Sequence, residues 1–96
     1  MRIYIAGKIT GLSMSEYQER FMRAHHRLAD AGHKPINPIY LGCFDLPYDA
    51  YMEIDKILLS TCDAIYMLSN WEDSPGAMEE LSHARKLGLR AIFEEQ

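Results

Sequence analysis

The sequence has little cysteine and no long apolar run, and these shortages exclude several classes of protein. Its two cysteines, Cys43 and Cys62, stand apart and form no C-x-x-C pair. Isolated thiols together with six methionines are typical of a reducing compartment, so we expect a cytoplasmic protein without a disulfide scaffold. No apolar run approaches membrane-spanning length, and Met1 leads directly into a strand pattern, so we expect neither a membrane span nor a signal peptide.

Runs of lysine and arginine are also missing. The formal net charge is −4 at pH 7, which argues against a surface for polymeric nucleic acid. The histidines offer no metal site, because His25 and His26 are adjacent and point apart on a helix, while His33 and His83 have no evident ligand neighbours. The sequence therefore predicts no metal and no cofactor.

What the sequence does contain is an alternation of short apolar strands and amphipathic helices. Strands are predicted at 2–6, 34–37, 64–68 and 90–93, with helices over 14–31, over 49–61 and from residue 75 onward. In the second helix, Ile54, Ile57, Leu58 and Thr61 are expected to face inward. Ninety-six residues have room for one core, so we predict a single domain over 1–96. Its fold is predicted to be α/β: a small doubly wound, flavodoxin- or Rossmann-like sheet of about four mainly parallel strands with helices on both faces. One antiparallel edge strand is also compatible with the pattern.

The last helix lies within 70–89 and carries one polar residue in an unusual place. At 100° per residue, Glu80 falls on the edge of the apolar stripe that includes Ala77. A carboxylate turned toward a core is costly unless it is paired or used, so Glu80 is the leading candidate for a functional group. The alternative is a structural carboxylate that pairs with Lys56 or Arg85.

Ligands of parallel α/β sheets bind beyond the carboxyl ends of the strands. Those ends include Gly7, Asn37 and the loop 68–74, which are expected to form one rim. Glu80 is expected to reach this rim from the last helix.

Three segments at this rim carry a family resemblance. The opening strand reads IYIAG and contains Tyr4, and the segment IDKILLSTCDAIYML contains Asp55. The closing segment WEDSPGAMEELSHARKLGL places Gly76 and Glu80 at the spacing of a D-x-G-x-x-x-E-x-x-x-A signature. In this order and spacing, the chain resembles the nucleoside 2-deoxyribosyltransferase family over nearly its full length, most closely the short phage and bacterial members.

The resemblance implies cleavage or transfer at the N-glycosidic bond of a nucleoside or nucleotide. Glu80 would be the nucleophile that forms a glycosyl–enzyme intermediate, Asp55 would help to protonate the leaving base, and Tyr4 would hydrogen-bond Glu80. The enzyme would be a nucleoside 2-deoxyribosyltransferase or a deoxynucleoside monophosphate N-glycosidase, with a small-molecule nucleoside or nucleotide as its partner.

Further substrate contacts are expected around the rim. They are Gly7, Asn37, Trp71, Asp73, Ser74 and Gly76. Asp73 stands near the place of the family's sugar-positioning carboxylate, and Trp71 is a candidate for stacking on a base. Ser74 holds the place of the signature's aspartate, so we hypothesise that Ser74 and the free N–H groups of Gly76 and Ala77 bind a 5′-phosphate at the helix N-terminus.

Two other functions stay open at this point. The first alternative to an enzyme is a non-catalytic nucleotide-binding module on the same fold. The second is an oligomeric interaction protein. The apolar segment 39–48 is a candidate subunit contact, because exposed apolar side chains of that number are otherwise a liability. We therefore expect a homo-oligomer.

Overall fold

The computed structural model describes residues 1–95, which contain a four-stranded parallel sheet. Its strands are β1 (Arg2–Ala6), β2 (Lys34–Ile36), β3 (Ala64–Met67) and β4 (Arg90–Phe93). The α-helices are α1 (Met14–Asp30), α2 (Tyr48–Leu59) and α3 (Pro75–Lys86), and two 3₁₀ helices span Pro38–Phe44 and Trp71–Asp73. The spatial order is β2-β1-β3-β4, and each neighbouring pair is parallel, so the predicted α/β fold is confirmed and both edge strands are parallel.

The side chains of the central strands alternate between two cores. Ile3 and Ile5 of β1 pack with α1, whereas Tyr4 and Ala6 pack with residues of α2 and α3. Because β1 and β3 lie in the middle of the sheet, both of their faces are covered, which explains their continuous apolar runs. The alternation therefore places Tyr4 on the face of the sheet that carries the last helix.

Short polar signals set the helix ends where the sequence predicts them. The Ser13 hydroxyl accepts a hydrogen bond from the Glu16 N–H, and the Glu16 carboxylate accepts one from the Ser13 N–H, each at 3.3 Å. Ser74 caps α3 by accepting the Ala77 N–H at 3.1 Å. Gly32 follows α1 with φ at 89°, a left-handed conformation that glycine adopts without steric cost.

The buried face of α2 differs from the prediction. Ile57 is 64% exposed, and the residues that the helix buries are Met52 and Leu59. Asp55 lies three residues after Met52 and four before Leu59, so it is on the same face of the helix. The prediction was wrong for Ile57 and Thr61, which are exposed, whereas Ile54 is half-buried and Leu58 packs against the core. Apolar residues occupy two sides of α2, and the more deeply buried side is the one interrupted by a carboxylate. The helix therefore turns Asp55, and not Ile57, toward the interior.

Within residues 1–95, none of the helices is long and apolar enough to cross a membrane. The same stretch holds no group of three His, Cys, Asp or Glu side chains arranged to bind a metal ion. Of the two free cysteines, Cys62 is buried and Cys43 is exposed.

Candidate active site

A cavity of about 690 Å³ opens at the carboxyl ends of the strands, where the sequence places the rim. Its wall is formed by the loop after β1, by the 3₁₀ helix Pro38–Phe44, by one side of α1 and α2, and by the first turns of α3. This volume lies in the range of pockets that enclose small organic ligands.

Three of the predicted residues meet at this cavity: Asp55 and Glu80 line it, and Tyr4 lies behind Glu80 in the core. Glu80 is only 6% exposed and accepts a hydrogen bond from the Tyr4 hydroxyl through Oε2. Asp55 lines the same wall, and its buried Oδ1 has no hydrogen-bond partner in residues 1–95. The donors nearest to the Asp55 carboxylate are the Tyr4 hydroxyl and a proton held by Glu80, and both oppose the effect of burial on the pKa of Asp55. The sheet, α2 and α3 thus each contribute one polar group to a single point.

Burial controls the protonation of these groups. Burial and the neighbouring charge of Asp55 raise the pKa of Glu80 well above its ordinary value, although the hydrogen bond from Tyr4 opposes this shift. Burial also raises the pKa of Asp55. The pKa of Tyr4 is raised by burial and by the two carboxylates, so its phenol stays protonated. Two facing carboxyl groups of this kind hold one proton and one charge between them over a range of pH.

The structure does not support a purely structural ion pair for Glu80. Lys56 pairs with the adjacent Glu79, with Nζ 3.0 Å from Oε2. Arg85 lies on another side of α3, beside a groove that contains Trp71. No cation neutralises Glu80 in the part of the chain that the structure describes. A buried carboxylate without a counter-charge is typical of a functional site.

The first turn of α3 forms the rim of the cavity. The predicted residues Asp73, Ser74 and Gly76 line it, as does Gly7 from the loop after β1. The phosphate hypothesis was wrong in one detail, because the Ala77 N–H is not free: it donates to the Ser74 hydroxyl. The Gly76 N–H stands in the first helical turn, where an α-helix supplies no acceptor.

Two predicted contacts lie outside the cavity wall. The Asn37 side chain is buried elsewhere, where it accepts the Ile39 N–H at 3.3 Å and begins the 3₁₀ helix. Trp71 packs against Phe93, with ring centroids 5.6 Å apart. The 3₁₀ turn after β3 directs the indole toward β4 and away from the cavity. Neither side chain has a part in the chemistry proposed below.

The wall also contains residues that sequence reasoning missed. Lys8 follows Gly7 directly, and that position at the rim was the one available signal for it. Tyr48 approaches so closely that a Cβ on Gly76 would lie 3.3 Å from its hydroxyl oxygen. Tyr51 holds the wall segment together, because its hydroxyl accepts the Leu46 N–H and donates to a backbone carbonyl, each at 3.1 Å. These contacts depend on loop conformation, which periodicity does not predict.

The replacement Tyr4→Phe tests the electrostatic role of the phenol. Loss of the hydroxyl removes the donor to the Glu80 carboxylate, so we expect the pKa of Glu80 to rise further and the free energy of unfolding at pH 8 to fall by about 1–3 kcal/mol. Carboxyl carbon shifts followed by NMR across a pH titration measure the first effect, and urea unfolding measures the second.

Tyr66→Phe is the matched control for this experiment. Tyr66 is buried on the opposite face of the sheet, where its hydroxyl accepts from Arg27 at 3.4 Å. Removing that hydroxyl is expected to leave the titration of Glu80 unchanged. Equal titration curves for the wild type and Tyr4→Phe would contradict the role given to the Tyr4 hydrogen bond.

Two solved structures share the fold of this chain. The 2-deoxyribosyltransferase from Bacillus psychrosaccharolyticus superposes with a TM-score of 0.76 at 19% identity, over 97% of this chain and 71% of that one. The CMP N-glycosidase of Clostridium botulinum gives a TM-score of 0.69 at 17% identity, over 97% of this chain and 67% of that one. At these identities the likeness shows the fold. No curated protein matches the sequence.

The sequence also matches a family directly. The family described as "Domain of unknown function (DUF4406)" matches residues 1–93, which is nearly the whole chain. This protein therefore belongs to the DUF4406 family.

Proposed function

We propose that this protein cleaves or transfers the N-glycosidic bond of a nucleoside or nucleotide through a covalent glycosyl intermediate on Glu80. The observation that carries the proposal is the buried Glu80 carboxylate, held by Tyr4 and facing Asp55 in a cavity wall. The resemblance to the nucleoside 2-deoxyribosyltransferase family and the activities of the two structural neighbours support the same chemistry. The activity is then that of a nucleoside 2-deoxyribosyltransferase or of a deoxynucleoside monophosphate N-glycosidase.

In the first step, a Glu80 oxygen attacks the anomeric carbon of the sugar. A C–O ester bond forms as the C–N bond to the base breaks, and the electron pair of that bond goes to the base nitrogen. Asp55 gives its proton to the leaving base, so the base departs neutral. The Tyr4 hydroxyl already donates a hydrogen bond to Glu80 Oε2. Glu80 Oε1 accepts no hydrogen bond within residues 1–95, so Oε1 is the oxygen available for attack.

In the second step, water or another base attacks the anomeric carbon. The ester bond breaks, its electron pair returns to Glu80, and Asp55 takes the proton that the incoming group loses. The first step needs Glu80 ionised and Asp55 protonated, and the second needs Asp55 ionised while Glu80 is esterified. Burial of both groups and their mutual repulsion favour a singly protonated pair, and the Tyr4 hydroxyl stabilises the ionised form of either carboxyl group. Burial raises the pKa of Glu80 well above its ordinary value, so the proposal requires the proton to lie on Asp55 when Glu80 attacks.

The proposal includes a homo-oligomer located in the cytoplasm. The 3₁₀ segment 38–44 exposes two aromatic side chains, with Tyr40 60% and Phe44 62% accessible, although the same segment forms part of the cavity wall. A subunit contact there would cover these rings and close the wall from outside. Light scattering at high protein concentration checks the assembly, and a monomer would count against it.

Trapping the sugar on Glu80 tests the proposed reaction. Incubation with the four deoxynucleosides and their 5′-monophosphates, with and without an acceptor base, is expected to release free base. Rapid acid quenching followed by mass spectrometry is then expected to show a sugar adduct on a peptide from α3, because the intermediate is an ester of Glu80.

The results also separate the alternatives. Thermal stabilisation by nucleosides or nucleotides without release of base would indicate a non-catalytic binding module. Neither stabilisation nor turnover would leave an oligomeric interaction protein. Release of base with the adduct on another residue would contradict the role of Glu80 alone.

A further inference from the structure

We propose that Lys8 is the specificity-determining residue of this cavity and that it selects substrates carrying a phosphate, which makes a nucleoside 5′-monophosphate the preferred substrate class. The inference rests on the proposed N-glycosidic chemistry. It concerns a residue that the family signature does not contain, and it depends on how charge is distributed around the cavity.

The wall of the cavity is acidic apart from one residue. Its charged side chains are Lys8, Asp55, Asp73 and Glu80. Lys8 is thus the one basic side chain that lines the cavity in the region the structure describes. It forms no salt bridge with any carboxylate of residues 1–95, in contrast to Lys56, which is paired with Glu79. The Lys8 charge is therefore available to a ligand.

The loop after β1 fixes the position of this lysine. The Lys8 N–H donates to Asn70 Oδ1 at 3.1 Å, which ties the backbone to the loop that precedes α3. Its side chain folds back over the same loop, with Cε 3.7 Å from the point where a Cβ on Gly11 would lie. The loop turns at Gly11, whose φ of 92° is a conformation that glycine adopts readily. Lys8 therefore belongs to the cavity wall, and its side chain lies against its own loop.

A phosphate dianion requires such a cation and a neutral nucleoside does not. Asp73 and the Glu80–Asp55 pair repel a dianion, and this repulsion is stronger in a partly enclosed cavity than in bulk water. Ser74 and the N–H of Gly76 lie on the same rim and offer hydrogen bonds but no full charge. Lys8 is the group that compensates the repulsion, so its loss should affect the phosphorylated substrate selectively.

The test compares deoxynucleosides with their 5′-monophosphates in three variants. Lys8→Met removes the charge and keeps most of the aliphatic stem, and Lys8→Arg keeps the charge. Lys86→Met removes the same charge from a residue beside the groove on another side of α3. We expect Lys8→Met to lower the ratio of kcat/KM for monophosphate over nucleoside by about tenfold or more. Lys8→Arg should largely restore the ratio, and Lys86→Met should not change it.

Each outcome bears on a different claim. Release of base with an unchanged ratio in Lys8→Met, or a wild-type preference for nucleosides, overturns the role of Lys8 and leaves the glycosidic chemistry in place. Failure of the wild type to release base from any substrate overturns the proposed function. In that case thermal shifts decide the inference: stabilisation by monophosphates in the wild type and Lys8→Arg, but not in Lys8→Met, supports the anion site, and equal shifts overturn it.

Discussion

Glu80→Gln is expected to abolish the release of base and, at the same time, to make the protein more stable. Under the proposed mechanism the variant lacks the nucleophile, so kcat should fall by about 10³-fold or more, because glutamine cannot form the glycosyl ester. Glutamine keeps the shape of the side chain and can still accept the Tyr4 hydrogen bond. Its amide can also donate toward Asp55, whose Oδ1 has no partner in residues 1–95. The measurements are base release by chromatography and unfolding by urea and heat.

The gain in stability should grow with pH. Burial raises the pKa values of Glu80 and Asp55 above those of the unfolded chain. Between the unfolded and folded pKa values the folded state binds more protons than the unfolded state. The stability of the wild type therefore falls as pH rises through this window and does not recover above it. We expect Glu80→Gln to reduce this fall and to exceed the wild type at pH 8 by about 1 kcal/mol, or roughly 4–8 °C in Tm.

Glu79→Gln provides the matched control for Glu80→Gln. It makes the same chemical change one residue away, at a side chain that is 46% exposed and paired with Lys56. Glu79→Gln is expected to retain activity and to change stability by no more than about 0.5 kcal/mol, since exposed ion pairs contribute little. If the two variants altered stability and its pH dependence equally, the buried charge of Glu80 would not be the cause.

Gly7→Ala is expected to destabilise the fold strongly for a change of one methyl group. A Cβ at position 7 would lie 2.5 Å from Cδ1 and 2.9 Å from Cβ of Leu68, a side chain that is fully buried. Overpacking of this kind forces a backbone or rotamer shift and costs about 1–3 kcal/mol. The shift would also spread the ends of β1 and β3, where the cavity opens. Urea unfolding measures the cost, and the rate of base release measures the effect on the site.

Two companion variants identify the cause of that loss. A Cβ on Gly42 meets no atom within 4 Å, so Gly42→Ala should be close to neutral. In a Leu68→Ala background, part of the clash is removed, and Gly7→Ala should cost less than it does alone. Full additivity of the two changes would show that contact with Leu68 is not the source of the destabilisation.

Periodicity alone was sufficient to predict that Glu80 faces the core, but it did not identify Asp55 and Tyr4 as its partners. The 3.6-residue repeat of α3 places Glu80 at the edge of the apolar stripe, and the side chain is indeed buried. The same reasoning misjudged α2, where apolar residues occupy two sides, and Asp55 was identified only through the family resemblance. Tyr4 could be assigned to a buried strand, but periodicity does not tell which of the many polar groups on that face of the sheet its hydroxyl meets.

The wall of the cavity was the least predictable part. The α/β fold class follows from the alternation of strands and helices, which is a local property of the chain, whereas the strand order β2-β1-β3-β4 was not predicted. Lys8 reaches the cavity from a loop and Tyr48 from the first residue of α2, and the turn after β3 directs Trp71 away from it. Loop conformation depends on contacts between residues distant in the sequence, so it cannot be predicted from the loop sequence alone.

The Tyr4–Glu80 hydrogen bond joins positions 76 residues apart, near the two ends of the chain. During synthesis on the ribosome, the phenol emerges with the first strand and the carboxylate only with the last helix. The site therefore exists only where α3 packs against β1 and β3. Under the proposed function, a chain truncated before α3 would keep Tyr4 and Asp55 but lack Glu80, and it would release no base.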